Sequence, residues 1–151
     1  MKHVHIECKP DELLVSKLGF SKKKITHYQG KSRVFKYLEK NYKQLAIVDE
    51  DPGSSKSNYE KRLKFVEEKF GIKYYKDNSE NKIFILTGKL EDWIIGICKK
   101  DKVKLSNYGL PEDPNDLHDV INQKLIKFGS LLDNLIKTNN PSLMKLKAWL
   151  K

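Results

Sequence analysis

The sequence predicts an α/β domain with a mostly parallel sheet that is covered by helices on both faces. Strand and helix signals alternate through the first two-thirds of the chain, which is typical of this class. The segment 44–48 is a short apolar run, as expected for a parallel strand that is buried on both sides. A chain of 151 residues fits one such domain, and it buries enough surface to fold without crosslinks.

The individual elements follow from local signals. Pro10, Asp11 and Glu12 begin the first helix, because proline suits the first turn and acids complement the helix dipole, and Gly19 ends it. The predicted strands are 3–7, 25–28, 44–48, 72–75 and 82–86. The last two either form a hairpin or contribute only one strand to the main sheet. We therefore expect a sheet of about four strands.

The other predicted helices rest on apolar periodicity. Segment 32–40 carries apolar residues on one face, as does segment 90–98. The charged segment 59–70 is predicted to be a helix with its apolar residues facing inward. A long helix over 116–137 and a last helix from Pro141 follow. These elements divide the chain into an α/β domain, residues 1–100, and a C-terminal helical extension, residues 101–151, packed on it.

The composition limits the classes of function. The formal net charge is +10, supplied mainly by lysine, and such a surface attracts polyanions, above all nucleic acid. A generally lysine-rich proteome explains the same charge, and the sequence leaves both explanations open. Cys8 and Cys98 have neither zinc-site nor disulfide-framework spacing. No signal peptide or membrane span is predicted, so we expect a soluble cytoplasmic protein.

Three acidic residues stand at predicted strand ends. Glu7 ends the first strand, and Asp49 and Asp51 end the third. Ligands of open parallel sheets bind at the carboxyl ends of the strands. If the two strands are neighbours, the three carboxylates converge and repel one another unless a cation intervenes. Oxygen ligands of this kind suit Mg²⁺ or Mn²⁺. The alternative for the Asp-x-Asp pair is simple turn chemistry before Pro52.

Two segments resemble the motifs of TOPRIM domains. The segment from Glu7 to Asp11 is similar to the first motif, a glutamate that ends strand one with an acid four residues later. The segment from Ala46 to Gly53 is similar to the second motif, an Asp-x-Asp that ends a hydrophobic strand. Cys8 stands where glycine is common. The resemblance implies a Rossmann-like fold with a four-stranded parallel sheet, of the kind found in stand-alone OLD-like nucleases and small ribonucleases.

The same resemblance implies Mg²⁺-dependent phosphoryl transfer on nucleic acid. Glu7 would act as general acid/base or metal ligand, and Asp49 and Asp51 would hold the metal. Asp11 and Glu91 would complete a second metal site, as two-metal chemistry requires. Asp11 is otherwise explained as a helix-capping acid, and Glu91 as an acid in a first helical turn.

Partners are predicted less specifically. Lys31, Arg33 and Lys56 follow strand ends and would contact phosphates of DNA or RNA, although each alone is compatible with ordinary solvated surface. The main alternative to a nuclease is a metal-stabilised regulatory module that binds nucleic acid or protein without catalysis. The C-terminal helices would then be a packing cap, a protein-binding surface or the interface of a homo-oligomer.

Overall fold

The computed structural model describes residues 2–151 and has one mixed sheet of six strands flanked by seven α-helices. The strand order is β2-β1-β3-β6-β5-β4. The strands are β1 (Val4–Ile6), β2 (Ile25–His27), β3 (Leu45–Asp49), β4 (Lys64–Lys69), β5 (Ile72–Lys76) and β6 (Lys82–Leu86). The α-helices are α1 (Lys9–Lys17), α2 (Lys31–Glu39), α3 (Asn58–Lys61), α4 (Leu90–Lys100), α5 (Pro114–Val120), α6 (Leu125–Lys137) and α7 (Pro141–Trp149).

The α/β class is confirmed, and the sheet is larger than predicted. Strands β2, β1, β3 and β6 run parallel to one another. Strands β5 and β4 then extend the sheet as an antiparallel hairpin beside β6. The four-stranded prediction therefore describes the parallel part only, and segments 72–75 and 82–86 both lie in the main sheet.

The predicted helix over 59–70 is wrong. Only Asn58–Lys61 is helical, and Lys64–Lys69 is an edge strand whose six residues are all exposed. Phe70 and Gly71 both have positive φ, of 54° and 73°, and they turn the chain so that β4 pairs with β5. The apolar residues mimic a helical period, but pairing with β5 satisfies the backbone, and this partner is not visible in a local window.

The predicted helix over 116–137 is interrupted. Helix α5 ends at Val120, a short 3₁₀ turn covers Ile121–Gln123, and α6 begins at Leu125. Lys124 has φ −124° and ψ 34°, outside the helical region, while Ile121 is buried. The break lets both helices bury their apolar faces on a curved core that one straight helix does not follow.

The sheet separates two apolar cores. The smaller core lies under α2 and α3, where Val34, Leu38 and Tyr59 pack against β3 and β6. The larger core lies on the opposite face and includes residues of α1, α4, α6 and α7 together with Ile6 and Phe84. Across residues 2–151, no helix combines the length and apolar character needed to cross a membrane.

Candidate functional site

The carboxyl ends of β1 and β3 bring Glu7 and Asp49 together. The two strands are parallel neighbours, with Ile6 opposite Ile47. Glu7 Oε1 accepts a hydrogen bond from the backbone N–H of Asp49 at 2.6 Å. Asp49 Oδ1 in turn accepts from the N–H of Leu90, at the start of α4, at 3.0 Å. The strand-end acids are thus held next to each other by main-chain donors.

Asp51 lies in a turn just beyond β3. Its φ is +47°, a left-handed conformation that aspartate tolerates better than most residues. Its N–H donates to the carbonyl of Gly88 at 2.9 Å. The prediction that Asp51 ends the third strand is therefore wrong, because the chain leaves the strand at Asp49 and turns. The negative charge of Asp51 still reaches the site, since it raises the pKa of Glu7.

Asp11 is the most unusual member of the cluster. It lies in the first turn of α1 and is fully buried, and no N–H or O–H donor reaches its carboxylate oxygens. Its one neighbouring donor is the thiol of Cys8, a weak donor that lowers the pKa of Asp11 less than burial and the charge of Asp49 raise it. Cys8, not Asp11, occupies the position that caps the helix, so capping does not explain the burial of Asp11. A buried carboxylate without donors is costly unless it is neutralised or bound to a cation.

Burial and mutual repulsion disfavour the charged forms of these acids. The pKa of Asp49 is raised to about 7, chiefly by burial and then by the charges of Glu7 and Glu91. The pKa of Asp11 is raised well above its ordinary value by burial and by the charge of Asp49. Burial also raises the pKa of Glu7, although its hydrogen bond from Asp49 works in the opposite direction. The four acids are therefore electrostatically linked.

Glu91 joins the cluster from α4 and has a partner that sequence reasoning missed. It is 5% exposed, and its Oε1 lies 3.1 Å from His118 Nδ1, on α5. The C-terminal helices thus supply one side chain to the edge of the acidic cluster. His118 lies 27 residues away along the chain, and no local motif marks it as a neighbour of Glu91.

The three predicted phosphate-binding residues occupy different environments. Lys31 Nζ donates to the carbonyl oxygens of Asp49 and Glu50, both at 3.0 Å, and lies 3.6 Å from Glu60 Oε1. This ammonium group therefore braces the chain where β3 ends. Arg33, in the first turn of α2, and Lys56, in the loop after β3, are exposed. Their contact with phosphates remains a prediction.

Glu50 is a second residue that the sequence did not single out. It lies between the two predicted metal ligands, forms an ion pair with Lys73 on β5, and accepts from the N–H of Gly88 at 3.2 Å. The ion pair and the Gly88 bond lower the pKa of Glu50. Its role is to tie the loop after β3 to the neighbouring strands.

The donor set is compatible with a hard divalent cation, although it is not arranged as a finished metal site. Within residues 2–151, no group of three or more His, Cys, Asp or Glu side chains is arranged to hold a metal ion as it stands. The acids are nevertheless close enough to shift one another's pKa, and Asp11 has no donor other than the weak thiol of Cys8. A cation would relieve both the repulsion and the unsatisfied oxygens.

Comparison with protein-family models, with curated proteins and with solved structures finds no match to this chain. What can be concluded about the site therefore depends on its residues and their geometry.

Proposed function

We propose that this protein is a TOPRIM-like, Mg²⁺- or Mn²⁺-dependent nuclease. The observation that carries the proposal is the buried carboxylate of Asp11, which has no N–H or O–H donor, only the weak thiol donor of Cys8, and interacts with the charges of Asp49 and Glu7. A hydrolase that used these acids without a metal would have to keep several buried carboxyls ionised at once, which is unfavourable. A divalent cation removes that difficulty.

The roles of the residues follow from their environments. Asp49, Asp51 and Asp11 hold the cation, and Glu91 completes the set from α4. Glu7, whose pKa is raised by burial, is the acid proposed to take or give the proton. When bound, the metal polarises a phosphodiester and lowers the pKa of a coordinated water. Lys31 keeps the end of β3 in position through the carbonyls of Asp49 and Glu50.

The position of the cluster and the charge of the chain support a nucleic-acid substrate. The acids lie at the carboxyl ends of parallel strands, where ligands of such sheets bind. The net charge of +10 favours attraction to a phosphate backbone. Four parallel strands in the order β2-β1-β3-β6 are compatible with the sheet that the TOPRIM resemblance implies.

A second candidate is a module that binds a metal but does not catalyse a reaction. One oxygen each of Glu7 and Asp49 is already engaged by a main-chain N–H, which favours a structural role for these two acids. In that case cation binding would stabilise the fold without producing turnover. The experiment below separates the two candidates.

The test measures cleavage of single-stranded and duplex DNA and RNA with Mg²⁺ or Mn²⁺. We expect wild type to cleave at least one substrate, and Glu7→Gln and Asp49→Asn to lose about 100-fold or more in rate, because each removes a proton-transfer or metal-binding group. The matched controls are Glu112→Gln and Asp119→Asn, which change exposed residues and should retain wild-type rates.

Two outcomes decide against the proposal. Equal rates for wild type and the two site variants would show that any cleavage arises from a contaminant. Cation binding that depends on Asp49, observed by calorimetry without any cleavage, would favour the non-catalytic module.

A further inference from the structure

A cleft begins beside the acidic cluster and extends away from it along the sheet. Its volume is about 290 Å³. Glu50 lines one end, next to Asp49 and Asp51, and Lys56, Lys73 and Tyr75 line the rest. None of the five site acids lines the cleft, but Glu60 does, and its charge raises the pKa of Glu7. The cleft therefore lies on the Glu7 side of the acidic cluster, on the face of the sheet that α2 and α3 cover, and reaches β5.

The strand register gives the direction of the cleft. Lys73 pairs with Ile85, which pairs with Val48, close to the carboxyl ends of the parallel strands. Tyr75 lies two residues further along β5, roughly 7 Å away, toward the opposite edge of the sheet. The part of the cleft between Lys73 and Tyr75 is thus about as long as one extended nucleotide.

An exposed aromatic side chain stands at the far end. Phe65 of β4 pairs with Tyr75, and their ring centroids are 5.6 Å apart in an edge-to-face arrangement. Phe65 is 58% exposed. Phe65 does not line the cleft itself, but it packs on Tyr75, which does, and most of its ring is exposed to solvent.

The charged side chains that line the cleft without an ion-pair partner are lysines. Glu50 is paired with Lys73, and Glu60 with Lys31. Lys56 and Lys61 also line the cleft, and neither forms an ion pair within residues 2–151. The cleft therefore offers two free ammonium groups between a cluster of acids and an aromatic ring.

We infer that this cleft binds single-stranded nucleic acid, with backbone phosphates near Lys56 and Lys61 and a base stacked on Phe65. A cationic groove with an aromatic ring is the usual way in which proteins hold single strands. This inference rests on the proposed function, because the bound nucleic-acid strand is taken to run from the cleft toward the proposed catalytic acids.

Fluorescence anisotropy of labelled oligonucleotides in EDTA tests this binding apart from cleavage. The probes are oligothymidylate and oligouridylate of about ten nucleotides, within the usual site size, and a duplex of equal length. We expect wild type to bind the single strands more tightly than the duplex. Phe65→Ala should weaken single-strand binding about fivefold or more. Lys56→Ala/Lys61→Ala should reduce the salt slope by about 1.4, because each phosphate contact contributes about 0.7 for single strands.

Matched controls remove equal charge or equal apolar surface elsewhere. Lys99→Ala/Lys104→Ala removes two exposed lysines, one in the last turn of α4 and one just after that helix, and Ile126→Ala removes an 89% exposed apolar side chain on α6. Thermal melting confirms that each variant is folded. Equal losses in the Lys56/Lys61 and Lys99/Lys104 pairs would overturn the inference, as would unchanged binding by Phe65→Ala.

The inference and the proposed function fail in different ways. If the cleft variants bind and cleave like wild type, single-strand binding by the cleft is rejected, whereas the proposed nuclease activity is not. Loss of single-strand binding in the cleft variants of a protein that never cleaves would support the cleft and reject the nuclease.

Discussion

The chemistry of the acidic cluster depends on how few hydrogen-bond donors reach each carboxylate. Glu7 and Asp49 each accept one main-chain hydrogen bond, and Asp11 accepts none. Burial is therefore the largest influence on the pKa of each of these three acids, and it raises all three pKa values. The stability of the fold therefore depends on pH, and the proposed divalent cation would compete with protons for the same oxygens.

Asp49 gives this competition a definite pH range. Its pKa is about 7 in the folded chain against an ordinary value of 3.8. The folded state therefore holds the proton more tightly than the unfolded state, and the stabilisation is lost as pH rises from about 4 through 7. In EDTA, we expect the free energy of unfolding to fall across this range, by at most about 1.4 kcal/mol per pH unit from this residue. Urea unfolding at a series of pH values measures it.

Two comparisons make the pH prediction specific. Asp49→Asn should flatten the decline, whereas Asp119→Asn, an exposed aspartate, should leave it unchanged. Mn²⁺ should raise the stability of wild type more at about pH 8 than at about pH 5, because fewer protons then compete with the cation. Identical pH profiles for wild type and Asp49→Asn would contradict the assignment.

At the scale of elements, one buried amide joins three segments that position the sheet. Asn81 is fully buried just before β6. Its Nδ2 donates to the carbonyls of Leu38 and Asn41, at the end of α2, and its Oδ1 accepts from the N–H of Gln44. The end of α2, the entry to β3 and the entry to β6 are therefore fastened at the edge opposite the acidic cluster.

We expect Asn81→Ala to lower the free energy of unfolding by about 3 kcal/mol, because it leaves several buried main-chain groups without partners. Asn78→Ala, at an exposed position in the same turn, should change it by less than about 0.5 kcal/mol. Urea titration of both variants measures the difference. A loss below about 1 kcal/mol in Asn81→Ala would mean that water replaces the amide.

Elements with strong local signals were predicted correctly, and those that depend on a distant partner were not. Pro10 and Gly19 mark α1 closely, and the apolar run of β3 was recognised. The edge strand β4 was taken for a helix, because its pairing with β5 across the Phe70 turn overrides a weak helical period. The local sequence pattern therefore determines whether a segment is a helix or a strand only where no long-range contact competes with it.

At the scale of the whole molecule, the C-terminal helices share one core with the sheet. The larger core combines Ile6 and Leu14 with Phe128 and Leu146. Helix α6 packs along α1, and the ion pair between Lys17 and Asp133 lies at their surface, at 3.0 Å. Residues 1–100 and 101–151 therefore follow one another in the chain but do not form two independent cores.

Phe128→Ala should destabilise the whole chain by about 3–5 kcal/mol in a single cooperative transition, because it opens a cavity in the shared core. Ile126→Ala, two residues away and 89% exposed, should have an effect below about 0.5 kcal/mol. Calorimetry detects the number of transitions. A transition of the sheet that Phe128→Ala leaves unmoved would indicate that residues 101–151 fold as a separate unit.

The sequence alone determined the α/β class, the parallel strands and the acids that follow β1 and β3, because these depend on local periodicity and on strand-end position. The tertiary structure decided the features that depend on residues far apart in the chain. These are the β4–β5 hairpin, the approach of His118 to Glu91, and the burial of Asp11. The sequence explains Asp11 as an ordinary helix cap, and only the packing of α1 against the sheet shows that its carboxylate is buried without an N–H or O–H donor, because the residues that enclose it come from distant segments.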